Sequence, residues 1–233
     1  MSFGPGASTG HTDVVSYGPD AGTEDDFHLL GDLQGKRVLE LGCGTAQRAI
    51  AFARRGATAI GVDFSPEMID AAKRLCERER VRVEIRQSDL ADLAFLRADS
   101  VDLVVSVYAL SYCRDVERVF RQAHRVLKVG APLVFSLRHP VYAMFDDTDS
   151  ERAPVVANSY FDRSAVTEHR NGEIAEVHHH TVADLLVGLV RSGYRIDTVL
   201  EPEPGKGSPH HPRHQAFACV PQTLIVRART EGF

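Results

Sequence analysis

The sequence predicts an α/β fold: a mostly parallel sheet with helices packed against it. Three observations carry that expectation. Short apolar strands alternate with amphipathic helices between Arg37 and Leu137, the pattern of consecutive strand–helix–strand units. The first strand ends at Leu41 and runs through a glycine-rich turn, Gly42-Cys43-Gly44, into a helix. The second strand stops on an acid, Asp63. Open sheets of this kind bind ligands at the carboxyl ends of their strands. The missing side chains at Gly42 and Gly44 let a ligand approach the backbone closely, or allow angles closed to other residues. Asp63 is placed to accept hydrogen bonds from a ribose diol.

Taken in order, residues 1 to about 30 are polar and glycine-rich, with the acidic cluster Glu24-Asp25-Asp26. A short amphipathic segment from Phe27 to Leu33 leads into the sheet. Strand one spans Arg37 to Leu41, and the helix after the turn spans about Thr45 to Arg55, with Ala49, Ile50 and Ala53 facing inward. Strand two is Thr58 to Asp63. Ser65 is a natural N-cap, Pro66 suits the first helical position, and Glu67 adds an acid to the first turn. Met68, Ile69, Ala72 and Leu75 then recur at helical spacing, and strand three follows at Val81 to Arg86. Strand four, Val101 to Val107, is nearly continuous Val and Leu around Asp102, as expected when both faces are covered. A helix from Val116 to Leu127, a turn at Lys128-Val129-Gly130 and strand five, Pro132 to Leu137, complete the alternation.

From about His139 to His180 the pattern changes. Residues 146–154 read as loop, and the arms Ser159 to Arg170 and Glu173 to His180 are joined by Asn171-Gly172, a strong hairpin signal. A helix from Val182 to Ser192, a strand from Tyr194 to Leu200, a long Gly- and Pro-containing loop and a last strand near Leu224 to Arg229 finish the chain. The expected organisation is one domain over residues 1–233, with an N-terminal cap segment, 1–33, and a substrate-side insertion at about 139–180.

The charge balance, 27 basic against 32 acidic side chains with no long basic tract, argues against broad nucleic-acid binding, which rests on neutralising phosphates. Cysteines 43, 76, 113 and 219 form no paired-ligand spacing. The start MSFGPGASTG carries no basic and apolar signal, and no stretch is long enough to span a bilayer. A cytoplasmic protein is expected, acting as monomer or homodimer, with a small molecule as partner and no membrane.

The segment RVLELGCGTAQ from Arg37, followed by AIGVDFSPEMIDAAKR ending at Arg74, resembles the cofactor half of the class I S-adenosylmethionine-dependent methyltransferases. Their first motif, E-x-G-x-G, is matched by Glu40, Gly42 and Gly44. Gln87-Ser88-Asp89-Leu90 is similar to the segment where an Asp meets the adenine amino group and the next residue packs on the ring. Asp102 through Ser106, Val107 and Tyr108 resembles the fourth-strand motif that floors the site near the methyl group. HRVLKVGAPLVFS resembles the helix–turn–fifth-strand segment, although many members have Pro-Gly where this chain has Val129-Gly130. The resemblance covers most of residues 37–137 and, more loosely, 181–229. It implies S-adenosyl-L-methionine as cofactor and a Rossmann-like three-layer sandwich, with a seven-stranded mostly parallel sheet whose last strand is antiparallel.

A dinucleotide site fits less well. The third glycine of G-x-G-x-x-G is absent, since Thr45, Ala46 and Gln47 follow Gly44, and Glu40 would repel a pyrophosphate while favouring a charged amino group. The cofactor set implied by the resemblance adds Cys43 in the turn, and Phe64, Ser65 and Met68 beyond Asp63. Tyr17, with Gly18, lies where many relatives fold across the cofactor. Gln47 either bonds the cofactor's amino-acid end or faces water.

His139, directly after strand five and before Pro140, is the first candidate general base; its alternative is to pack beneath the insertion. His178 and His180 are the reserve, pointing one way from an extended arm while His179 points the other. Tyr112, Phe145, Tyr160 and Phe161 are candidate substrate contacts, in a lid over a largely apolar pocket. No metal is expected from these residues or from His210, His211 and His214. The expected function is S-adenosylmethionine-dependent methyl transfer to an O, N or C nucleophile of a small organic molecule. Methylation of RNA or protein, and a non-catalytic S-adenosylmethionine-binding partner protein, remain the alternatives.

Overall fold

A computed structural model of the chain describes residues 12–19, 21–146, 155–170, 173–203 and 219–232. The amino-terminal half contains α1 (Glu24–Phe27), β1 (Arg37–Leu41), α2 (Gln47–Arg54), β2 (Thr58–Asp63), α3 (Pro66–Glu79) and β3 (Glu84–Gln87). Then come β4 (Leu103–Val107), α4 (Val116–Val126), β5 (Pro132–Arg138), and the two short strands β6 (Phe145–Asp146) and β7 (Val155–Val156). The hairpin β8 (Val166–Arg170) and β9 (Glu173–Val177), α5 (Val182–Arg191), β10 (Tyr194–Leu200) and β11 (Thr223–Thr230) follow. The helix starts have the expected chemistry. The Ser65 hydroxyl accepts the Met68 N–H, Asp115 accepts the Arg118 N–H, and Thr181 and Asp184 form a reciprocal capping box.

Seven strands make one sheet in the order β10-β11-β5-β4-β1-β2-β3. The pairs from β5 through β4, β1 and β2 to β3 are parallel, and β11 runs antiparallel to both β5 and β10. Alternate residues of the central strands feed two apolar layers. Leu39, Val104, Leu133 and Phe135 pack with α4 and α5. Val38, Leu103, Val105 and Val134 pack with α2, α3 and the N-terminal segment. Strand order reverses between β1 and β4, so the crevice at their carboxyl ends is a topological switch point.

Some boundaries move for identifiable reasons. The β4 ladder begins at Leu103 because Val101 is drawn instead into a bridge with Leu127 at the end of α4, its N–H on the Val126 carbonyl and its carbonyl receiving the Lys128 N–H. The amphipathic segment expected over Phe27 to Leu33 is helical only to Phe27. There the Glu24 carboxylate takes the Leu29 and Leu30 N–H groups, at 3.0 and 2.8 Å, and His28 turns left-handed. The expected arms are extended only over β8 and β9, and residues 178–180 are coil. The joining Asn171-Gly172 lies outside the described residues, as do His210, His211 and His214.

The Glu24 carboxylate organises the N-terminal segment. It is 5% exposed and also accepts the Tyr17 hydroxyl. Burial first, then Glu24, raises the Tyr17 phenol well above its usual pKa, so it stays a donor. The Ser136 hydroxyl donates to the Tyr17 carbonyl, and Arg227 donates to the Leu29 carbonyl at 3.2 Å, tying the segment to β5 and β11. Replacing Glu24 by Ala orphans three buried donors and should cost about 3 kcal/mol or more by urea denaturation. Asp25→Ala, which loses only an exposed ion pair to Arg55, should leave the midpoint in place.

Candidate active site

The site grows from the turn after β1. The N–H groups of Gly42 and Cys43 both donate to the Val62 carbonyl, at 2.8 and 2.9 Å, folding the turn against the end of β2. The Gly44 N–H donates to one Asp63 carboxylate oxygen at 2.8 Å, and the Ser65 N–H donates to the other at 3.1 Å. Asp63 therefore sets the shape of two turns at once. Each of its oxygens keeps acceptor capacity for a ligand, and the residue is only 7% exposed.

The two glycines serve different needs. Both are left-handed, at φ 72° and 52°. A β-carbon on Gly42 would lie 2.1 Å from the Ala109 β-carbon, so Gly42 lets the turns after β1 and β4 meet. A β-carbon on Gly44 would meet nothing within 4 Å, so that face is open. Glu40, one residue before the end of β1, is fully buried and receives the Arg48 guanidinium at 2.7 Å on one oxygen. Its other oxygen has no hydrogen-bond partner among the described residues. Burial pushes the Glu40 carboxyl above its usual range, and Arg48 opposes that shift.

Around this centre the structure gathers Cys43, Asp63 and the exposed ring of Phe64, with Gln47 half-buried at the start of α2. Asp89 is exposed after β3, its carboxylate accepting the Ala91 N–H at 2.7 Å. Leu90 packs beneath Gly42 and Ala109. Other residues proposed from sequence are held inside. The Tyr17 phenol is turned to Glu24, the Ser65 hydroxyl caps α3, the Ser106 hydroxyl ties β4 to the Leu41 carbonyl at 3.1 Å, and Val107 sits in the core. Met68 is half-buried on the first turn of α3. Tyr108, left-handed at φ 58°, lies against Gly18 and shares a hydrogen bond with Thr223.

The histidines occupy distinct settings. His139 is 2% exposed, its Nδ1 accepts the Val141 N–H at 3.1 Å, and its Nε2 faces Glu201 at 2.8 Å. Burial lowers its pKa against the pull of Glu201, and neither nitrogen offers a spare lone pair. As the structure stands, both ring nitrogens at the first-choice position are engaged, with Glu201 and with the Val141 N–H. His178 is half-buried with its N–H on the Ser111 carbonyl at 2.7 Å. Because residues 178–180 are coil, the strand alternation expected for them does not apply. His179 Nε2 reaches the Tyr160 carbonyl at 2.8 Å, and His180 Nε2 reaches the Cys113 carbonyl at 2.8 Å.

A cavity of about 710 Å³ opens beside these rings, between the first turns of α4 and α5. Arg114, Asp115, Glu117, Arg163, Glu176 and Asp184 line it with His178, His179 and His180. This wall mixes charged and histidine side chains with Val116 and Ala165, in place of the aromatic side chains expected from sequence. Tyr160 instead accepts the Val182 N–H on its hydroxyl, Phe161 is 77% exposed, and Tyr112 and Phe145 are half-buried outside the lining. Arg48, Ala109, Arg114 and Glu201 had not been singled out from sequence. Only Arg48, one helical turn past the glycines, carries a local signal for its role.

A family model described as a methyltransferase domain matches residues 38–130. Among solved structures, a putative S-adenosylmethionine-dependent methyltransferase from Listeria monocytogenes is 29% identical, with TM-score 0.75, covering 88% of this chain and 94% of that one. An S-adenosylmethionine-dependent methyltransferase from Mesorhizobium loti is 30% identical, with TM-score 0.71, covering 87% and 94%. A ubiquinone biosynthesis O-methyltransferase from Hahella chejuensis is 35% identical over 115 residues, 48% of each chain. The match thus spans about half the length of that curated relative.

Two outcomes test the geometry. Gly42→Ala should destabilise the protein by about 2 kcal/mol or more, through left-handed strain plus overlap with Ala109, whereas Gly44→Ala should cost only about 1 kcal/mol. Equal losses in urea denaturation would contradict the contact with Ala109. The His139 and His180 pKa values are both lowered on folding, chiefly by burial, so the unfolded chain takes up protons first as pH falls. Their contribution to stability is complete above the ordinary value of 6.5 and is lost as pH drops from there toward the lowered folded values. Melting temperatures measured from about pH 7.5 to 5 should fall, less steeply for His139→Gln.

Proposed function

We propose a function from one premise: the chain belongs to the class I S-adenosylmethionine-dependent methyltransferase family. It transfers the methyl group of S-adenosyl-L-methionine to a small organic molecule, as the names of the O-methyltransferase relatives suggest. The observation that carries this reading is the buried Glu40 carboxylate with an unpartnered oxygen, directly below a glycine turn whose outer face is open at Gly44. A carboxylate so placed suits a ligand with a cationic amino group and opposes a pyrophosphate.

Asp63 would hold the ribose diol, Glu40 and the Gly42–Gly44 turn the amino-acid end, and Asp89 with Phe64 the adenine. The sulfonium makes its methyl carbon electrophilic, which is the chemistry this cofactor supplies when bound. The chain's part is to align the acceptor's nucleophile and exclude water. Segments 1–33 and 139–180, as cap and insertion of one domain, would border that space. The cysteines are all unpaired thiols, in keeping with a reducing cytoplasm. No helix among the described residues is long and apolar enough to cross a membrane.

Calorimetric titration separates this reading from a dinucleotide site. S-adenosylhomocysteine should bind and NAD should not; the reverse result would end the proposal. Asp63→Ala should weaken S-adenosylhomocysteine by about 1–3 kcal/mol, with a melting curve recorded alongside because Gly44 and Ser65 also lose their acceptor.

A further inference from the structure

The cavity between α4 and α5 contains two groups that no contact among the described residues uses up. The first is His180 Nδ1. The ring's Nε2 meets a carbonyl oxygen, which only accepts, so Nε2 carries the proton and Nδ1 keeps its lone pair. Burial also lowers the pKa of this ring, against the Cys113 carbonyl, which keeps it neutral near pH 7. The second is the Arg114 guanidinium, which has no hydrogen bond or ion pair among the described residues.

The other charges on this wall are committed. Asp184 receives Arg163 and the Thr181 N–H, and Asp115 caps α4. Glu117 lies between Arg121 and Arg191, at 3.6 and 3.7 Å, and Glu176 is 3.8 Å from His178. His180 therefore faces Cys113 from the loop after β4, Asp184 from α5, and His178 and His179 from its own run. Asp115, Glu117, Arg163 and Glu176 complete the wall. Cys113 joins the cavity to the cofactor side, its thiol donating to the carbonyl of Ala109, the residue that meets Gly42. Its carbonyl holds His180, while burial and then the Asp89 carboxylate push its thiol up to about 12, so the thiol is no nucleophile at neutral pH.

We propose that this cavity seats the methyl acceptor, a small hydroxy acid whose carboxylate lies on Arg114 and whose hydroxyl gives its proton to His180 Nδ1. The inference rests on the methyltransferase reading and names the acceptor class for it. The planar guanidinium matches a carboxylate in a paired geometry. In the transfer, the acceptor's O–H bond breaks and its proton passes to Nδ1. The oxygen's electron pair forms the new bond to the methyl carbon, and the departing S–C pair stays on sulfur. The resulting imidazolium returns its proton to water.

The test uses full-length protein saturated with S-adenosylhomocysteine, with His180 followed by ring nitrogen-15 NMR. 4-Hydroxybenzoate, 3-hydroxybenzoate and 4-hydroxyphenylacetate are titrated, each beside its amide. At least one acid should bind about tenfold or more tightly than its amide and move the His180 Nδ1 resonance. Arg114→Gln should erase that preference while S-adenosylhomocysteine affinity is kept. With S-adenosylmethionine, His180→Gln should slow methylation of that acid about 100-fold at unchanged cofactor affinity. The proposal is overturned if no acid is preferred to its amide, if the preference survives Arg114→Gln, or if the His180 resonance stays still. Failure of S-adenosylhomocysteine to bind the unaltered protein would remove the methyltransferase reading itself.

Discussion

The contact between Gly42 and Ala109 is the constraint on which the site depends. It lies where the chain changes direction across the sheet, between β1 and β4. The turns leaving these strands share one narrow space, and only a residue without a β-carbon lets them close. Once they meet, the Gly42 and Cys43 N–H groups reach the Val62 carbonyl and Gly44 comes within reach of Asp63. Three strand ends become one rigid cradle, held by backbone bonds rather than by long side chains.

Polar burial in this protein follows a consistent economy. Glu24 is buried with its donors supplied by Tyr17, Leu29 and Leu30. Its network fastens the N-terminal segment to β5 and β11, and the same segment brings Gly18 against Tyr108 at the end of β4. Glu40 is buried with one oxygen matched and one left over. An unsatisfied buried carboxylate oxygen is costly, so its position beneath the open glycine turn has a functional explanation where a core position would have none. The same contrast separates two histidines. His139 has both nitrogens occupied and acts as a structural link to Glu201. His180 has one nitrogen occupied and sits on a cavity wall.

Much of this was legible in the chain itself. Strand–helix alternation, the glycine turn and the acid ending β2 depend on local spacing and backbone preference, so they appear in any window of a few residues. The cap at Ser65 is of that kind, and so is β10, whose limits, Tyr194–Leu200, coincide with the expectation. Departures begin where a partner lies far along the chain. Strand β4 starts at Leu103 because Val101 is drawn into a bridge with Leu127 at the end of α4, and the amphipathic segment after Phe27 is not helical because Glu24 captures the Leu29 and Leu30 N–H groups.

The sequence by itself therefore determined the fold class and the order of the elements, both set by short-range spacing, and marked Glu40, Gly42, Gly44 and Asp63 as candidates for the cradle. Tertiary structure alone decided which histidine keeps a free nitrogen, since that turns on Glu201, 62 residues from His139, and on Cys113, 67 residues from His180. It also decided that charged side chains line the cavity beside α4 and α5. Arg114, Glu176 and Asp184 come from separate segments, and only packing α5 beside α4 places them on one wall. Side-chain chemistry is written locally, but the protonation and availability of a group depend on neighbours that folding brings from a distance.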